Sequence, residues 1–212
     1  MKIITNQVHS LVLLLLLIIF AAPVIAQHQH MAMNMPAKST ERKNIFINMM
    51  DTMMQNMDTV TIEQNADLDF IRMMIPHHQG AIEMAQYEII HGANFEMKQL
   101  AKSIIAEQAN EIVQMNLWLK TDGLAAVKYN NEHEKPLMLT MPVMMNNMPA
   151  STTLTQLDKS FAAVMIPHHQ AGVDMAKVIL QYGSDKTVAR IAENIISSQQ
   201  VEIEQMKTFL NK

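Results

Sequence analysis

The sequence predicts an all-α protein, a four-helix bundle made of two tandem helical hairpins. Two observations support this fold class. Apolar residues recur at spacings of three and four over long stretches, as in a helix, and few stretches alternate with the period of a strand. The chain also contains two copies of one segment, residues 47–120 and 138–211, at a constant offset of 91 residues. Two hairpins that are each apolar on one side would bury those sides against each other.

The repeat is clearest at M-I-P-H-H-Q, which occurs at residues 74–79 and again at 165–170. The block I-I-x-x-Q-x-x-E-I-x-Q-M follows in both copies. The other recurring residues include Asp67, Phe70, Met84, Ala85 and Gly92 in the first copy and Asp158, Phe161, Met175, Ala176 and Gly183 in the second. We therefore interpret residues 44–212 as one bundle built from a duplicated hairpin.

Each copy is predicted to contain two helices. In the first copy they span residues 67–91 and 95–120, and Gly92 offers a helix C-cap between them. Gly183 separates the equivalent helices of the second copy. The intervening segment 121–140 is polar and rich in turn-forming residues, so it is predicted to be irregular.

The pattern of the N-terminal segment predicts a secretory signal. Residues 11–20 form an unbroken apolar run, and residues 21–26 suit cleavage before Gln27. The alternative is an uncleaved membrane anchor, but the run is short for a spanning helix and no charged cluster follows it. Residues 27–43 are polar with nothing to pack, which predicts a disordered arm.

Composition excludes several classes of function. The chain has no cysteine, so disulfides and zinc–thiolate sites are excluded. The net charge of −4 without a long basic run gives no indication of nucleic acid or of anionic membrane as a partner. Methionine is unusually frequent, with 22 residues. Since its thioether is easily oxidised outside the cytoplasm, this use suggests that sulfur itself is needed.

The repeated Pro-His-His segment is the main candidate for a metal site. Pro76 and Pro167 are predicted to kink their helices or to begin new ones. At 100° per residue, the histidines share one helical face with methionines, and this set is Met74, His77, His78 and Met84, with Met165, His168, His169 and Met175 in the second copy. Imidazole with thioether suits copper, especially Cu(I). The alternative is that these are ordinary buried core residues.

The helix that follows each of these faces could close over it. In the first copy its facing residues are Glu111, Gln114, Met115 and Trp118, and in the second copy they are Glu202, Gln205, Met206 and Phe209. Both ligand faces would then lie inside the bundle.

Two further methionine clusters recur with the same offset, at Met50, Met53, Met54 and Met57 and at Met141, Met144, Met145 and Met148. Their spacing would stack the thioethers on one face of a short helix or would cluster them on a loop. Such a stripe could bind metal or could simply dock on the bundle, and the sequence leaves both open. A third cluster lies in the polar arm and consists of His28, His30, Met31, Met33 and Met35. Its composition predicts a flexible segment that captures metal.

With these motifs in hand, the chain resembles domain-of-unknown-function family 305, which includes the CopM-like periplasmic copper-binding proteins. The resemblance rests on the paired D-x-x-F-x-x-x-M-I-P-H-H-Q blocks and covers roughly residues 60–212. It implies a ferritin-like four-helix bundle that is exported and binds copper. The ligands it implies are Met74, His77, His78, Met84 and Met115, with Met165, His168, His169, Met175 and Met206 in the second copy.

We expect a non-enzymatic protein of the periplasm or cell exterior that sequesters or transfers Cu(I), and by the same chemistry Ag(I). A copper efflux or acceptor protein is the partner that transfer would need, and no membrane is expected after signal cleavage. Three alternatives stay open. They are a di-metal oxidase using Glu88-Ile-Ile-His91, a bundle that binds haem non-covalently, and a structural module whose methionine face binds a partner.

Overall fold

The computed structural model describes residues 44–121 and 131–212, and these residues form six α-helices and one 3₁₀ turn. The helices of the first copy are α1 (Ile45–Met57), α2 (Ala66–His91) and α3 (Phe95–Thr121). Those of the second are α4 (Glu134–Asn146), α5 (Leu157–Tyr182) and α6 (Lys186–Leu210), with the 3₁₀ turn at Ser151–Thr153. The described part of the chain contains no strand, so the all-α prediction is confirmed.

Four long helices form a closed bundle. Helix α2 packs on α3 and α5 packs on α6, which are the two predicted hairpins. The hairpins meet through α2 against α5 and through α3 against α6. The short helices α1 and α4 dock outside this ring, α1 mainly on α2 and α4 on α5. No helix of the described residues is both long and apolar enough to cross a membrane.

The two hairpins are tied together at equivalent points by a pair of aspartates. Asp67, in the first turn of α2, accepts a 3.0 Å hydrogen bond from the backbone N–H of Ser184, before α6. Asp158, in the first turn of α5, accepts hydrogen bonds of 2.9 and 2.7 Å from the backbone N–H groups of Ala93 and Asn94, before α3. Each copy therefore caps the interhelical turn of the other, which holds α2 against α5.

The prediction for the connecting segment is wrong over residues 134–140, which belong to helix α4. Proline disfavours the interior of a helix, but Pro136 lies in the first turn of α4. At that position no intrahelical partner is lost, because the first N–H groups of a helix have none. Glu134 in the same turn is also favourable to the helix dipole.

The structure also tests the prediction that Pro76 and Pro167 begin new helices. Pro76 and Pro167 lie inside α2 and α5, which run on without a break, so the idea that they begin new helices is wrong. The histidine pair that follows each proline therefore sits near the middle of a long helix rather than at its start.

Candidate metal site

The four histidines of the repeated motif lie together in the centre of the bundle. His77 and His78 on α2, and His168 and His169 on α5, are each completely buried. The rings of His77 and His168 stack on each other, with centroids 3.8 Å apart and planes 27° apart. The two copies of the motif therefore meet directly, at the contact between α2 and α5.

A glutamate from the partner helix holds the second histidine of each pair. The Nε2 atom of His78 lies 2.7 Å from Glu111 Oε2 on α3, and Nε2 of His169 lies 2.8 Å from Glu202 Oε2 on α6. An ionised carboxylate can only accept, so in a neutral imidazole Nε2 carries the proton and Nδ1 keeps its lone pair. Both Nδ1 atoms are buried without a hydrogen-bond partner. Carboxylates orient metal-binding imidazoles in this way.

The first histidines of the two pairs also present free ring nitrogens. His168 donates through Nε2 to the backbone oxygen of His77 at 3.2 Å, which leaves its Nδ1 without a partner. Both ring nitrogens of His77 are unpartnered. Such orphaned buried polar atoms are rare in native proteins and call for an explanation.

Both stacked rings are held in the neutral form, which is the form that binds metal. Burial lowers the pKa of His77 well below its usual range, and repulsion from His168, His78 and His169 lowers it further. Burial also lowers the pKa of His168, with further lowering from His169 and His78. At neutral pH their lone pairs are therefore available to a metal ion.

The methionines predicted on these helices are all fully buried, and they are Met74, Met84, Met115, Met165, Met175 and Met206. Met74 lies one helical turn before His77, and Met84 lies two turns after it, on the same face. Among His, Asp and Glu of the described residues, no group of three converges to hold a metal. A metal bound here would therefore need thioether sulfur beside imidazole, and the helices carry both.

The methionine clusters upstream of each hairpin lie in α1 and α4. In α1, Met50, Met53, Met54 and Met57 are all buried; in α4, Met141 and Met144 are buried, and Met145 and the following Met148 are half-buried. Met53 lies against Gly80, one turn after His77, where an added Cβ would come within 2.9 Å of its sulfur. These methionines pack into the core beside the histidine-bearing helices, and their role as ligands stays a prediction.

Several predictions fall outside the described residues. They are the signal segment 1–26, the disordered arm 27–43, residues 122–130 of the segment predicted to be irregular, and the arm's candidate ligands His28, His30, Met31, Met33 and Met35.

The structure adds polar residues to the site that the sequence did not single out as functional. The sequence predicts Glu111 and Glu202 on the facing helices but does not indicate that they bond to histidines. One turn before them, Gln108 and Gln199 are also buried, and their side-chain amides have no hydrogen-bond partner. The recurrence of all four residues in the I-I-x-x-Q-x-x-E block was the available signal.

The spacing Glu88-x-x-His91 does not produce a di-metal carboxylate site. Glu88 is buried, whereas His91 is exposed and lies against the ring of Tyr87 at 4.2 Å between centroids. Burial raises the pKa of Glu88 to about 8, and the charge of the nearby Asp158 carboxylate contributes to this rise. Glu88 thus interacts with the interhelical cap rather than with a histidine.

The family model described as "Domain of unknown function (DUF305)" matches residues 24–119 and 67–210. The chain belongs to this family. Among solved structures, the silver-bound form of CopM is 31% identical, with a TM-score of 0.54 over 70% of this chain and 97% of that one. The Cu(I)-bound form of CopM is 32% identical, with a TM-score of 0.53 over 68% and 95% of the two chains.

Two further relatives are matched over different extents. A secreted DUF305 protein of Streptomyces coelicolor is 27% identical, with a TM-score of 0.54 over 70% of this chain and 92% of that chain. The uncharacterized protein L153 of Acanthamoeba polyphaga mimivirus is 38% identical over 55 residues, which are 26% of this chain. That match spans only 36% of the viral protein's own length.

Proposed function

We propose that this DUF305 protein is an exported, non-enzymatic copper-binding protein that sequesters or transfers Cu(I), with Ag(I) as a second ion of the same chemistry. One observation carries the proposal. Four fully buried histidines meet where α2 and α5 cross, and five of their eight ring nitrogens have no partner. Burying so many unsatisfied nitrogens is costly unless something binds them.

The chemistry of the surroundings selects the ion. The same helices carry fully buried methionines, and thioether with neutral imidazole is a ligand set for soft ions rather than for magnesium or calcium. CopM has been solved with Ag, Cu(I) and Cu(II) bound. Because this chain is similar to CopM, those structures support our proposal that it binds copper. The description of the Streptomyces coelicolor neighbour as secreted supports export. Handling of copper at such a site would contribute to copper tolerance.

Anaerobic titration of the exported chain with Cu(I) against a chromophoric competitor tests this proposal. We expect uptake of at least one ion per chain and a higher melting temperature, because a ligand that binds the folded state stabilises it. Replacing His77, His78, His168 and His169 by leucine should abolish this uptake while preserving side-chain volume. The matched control is His91→Ala, which removes an exposed histidine and should leave uptake unchanged.

X-ray absorption of the copper-loaded chain gives an independent measurement. Both nitrogen and sulfur neighbours are expected around the copper. Absence of uptake by the unmodified chain, or uptake that the fourfold leucine variant retains in full, would refute the proposal.

A further inference from the structure

A polar groove runs between α3 and α6. It lies at the surface of the bundle, whereas the histidines lie in the centre. Its volume is about 470 Å³, and it is lined by equivalent positions of the two copies, among them Glu111 with Glu202 and Asn110 with Val201. Because these positions are related by the repeat, the groove faces both histidine pairs equally. One groove can therefore serve both copies.

The groove is negatively charged. Glu107, Glu111 and Glu202 line it, and none of its described lining residues is lysine or arginine. Burial raises the pKa of Glu107, and repulsion from Glu202 and Glu111 adds to this rise against the lowering effect of its hydrogen bond from Ser103. The three carboxyl groups line the same groove, and their joint field attracts cations.

The floor of the groove leads to the histidines. Glu111 and Glu202 line the groove and also contact Nε2 of His78 and of His169 at 2.7 and 2.8 Å. Glu202 is only 5% exposed, and its second oxygen, Oε1, is buried without a hydrogen-bond partner. A carboxylate oxygen that is unsatisfied and sits at the floor of a polar groove is suited to receive a cation there.

We propose that the α3–α6 groove is the entrance through which a soft metal cation reaches the buried histidines, with Glu111 and Glu202 as its inner carboxylates. This inference rests on the proposed copper-binding function and adds the route to it. A cation that enters the groove past Glu107 meets these two carboxylates before it reaches the histidines. Displacement of either carboxylate from its histidine opens the way to the imidazoles and thioethers behind it.

The rate of Cu(I) uptake, measured by stopped flow with Cu(I) supplied as its acetonitrile complex, tests the entrance. The double variant Asn110→Lys with Val201→Lys puts two positive charges at equivalent, exposed positions of the groove. Uptake should slow by about tenfold or more at low ionic strength and should recover at high salt, because screened charges no longer repel the ion.

The matched control is Asn48→Lys with Leu139→Lys. These positions are also equivalent in the repeat and exposed, but they lie on α1 and α4. The control changes the net charge by the same amount and should leave the rate within about twofold, since surface charges away from the path are screened. The proposed entrance would be contradicted if both double variants slowed uptake equally, or if the groove variant did not slow it.

A variant that should speed Cu(I) uptake shows whether the slow uptake of the lysine variant is merely a result of misfolding. Ser198 is the counterpart of Glu107 in the second copy and also lines the groove, so Ser198→Glu adds a fourth carboxylate at a position where the first copy already carries one. Uptake should become faster, and an unchanged or slower rate would contradict the proposal. If the unmodified chain takes up no Cu(I) at equilibrium, it is the copper-binding function itself that fails.

Discussion

The two copies of the repeat make equivalent contacts at their centre and different contacts at their ends. In the centre, His78 bonds Glu111 and His169 bonds Glu202 at nearly equal distances of 2.7 and 2.8 Å. At the ends, Glu88 beside the first interhelical turn is replaced by Ile179 in the second copy. His77 stacks on its own counterpart, His168, so a change at this position in one copy alters the environment of the other.

A second difference concerns the start of the α2 and α5 helices. Asp69 is buried and forms a 2.8 Å bond with His133, which precedes α4. Its counterpart in the second copy, Ser160, is also buried but donates only to the backbone oxygen of Gln156. The first copy thus anchors the chain that joins the two hairpins, a task that does not exist for the second. Position in the chain, rather than the repeat, explains this divergence.

The largest effect is expected from breaking that anchor. His133→Ala leaves a buried carboxylate with only its backbone partners, the N–H groups of Glu63 and Asn65. Loss of one member of a buried pair should lower the free energy of unfolding by about 3 kcal/mol. Ser160→Ala, at the site equivalent to Asp69, removes one neutral hydrogen bond and should cost about 1 kcal/mol or less. Urea denaturation measures both, and equal losses would show that the anchor has no special role.

The next effect is a pH dependence that only the first copy should cause. The pKa of Glu88 is about 8 in the folded protein, against 4.5 ordinarily. Folding favours the protonated carboxyl. The contribution of Glu88 to the free energy of unfolding is therefore greatest below pH 4.5 and falls as pH rises from 4.5 to 8. At 1.36 kcal/mol per pKa unit the loss is at most about 5 kcal/mol. We expect roughly half of this, because the carboxylate can relax toward water.

Glu88→Gln and Ile179→Glu separate this effect from other titrating groups. The glutamine variant keeps a neutral group beside Asp158 at all pH values, so its unfolding free energy should fall less between pH 5 and 9. The Ile179→Glu variant places a carboxyl at the equivalent point near Asp67 and should steepen the fall. Denaturant unfolding across this pH range is the measurement, and a slope that neither variant changes would contradict the assignment.

The smallest effect concerns two glycines at neighbouring repeat positions. An added Cβ at Gly80 would come within 2.7 Å of Met53 Cγ, so Gly80→Ala must displace α1 and should cost about 1 kcal/mol after the helix-propensity gain. At Gly172 the nearest atom is the side-chain oxygen of Gln199, the end of a flexible side chain. Gly172→Ala, which matches Ala81 of the first copy, should gain about 0.5 kcal/mol. Thermal unfolding of both variants should show melting temperatures that shift in opposite directions.

Much of the fold was predictable because it depends on local pattern. The apolar period and Gly92 were enough to place α2 and α3 within one residue of their observed ends, and Gly183 marked the boundary between α5 and α6. The helix α4 was only partly predicted, since its first residues include a proline and polar side chains. Whether such a segment is helical depends on docking against α5, which no local pattern reveals.

The composition of the candidate site follows from the amino-acid sequence alone: histidine and methionine share one helical face, and this face is duplicated at an offset of 91 residues. Helical period and repetition are properties of the chain alone. Three contacts could be known only from the packed bundle. His77 stacks on His168, Glu111 and Glu202 each bond one ring nitrogen of a histidine and leave the other free, and His133 bonds to Asp69. These contacts join residues far apart in sequence, and their geometry exists only once the hairpins have packed.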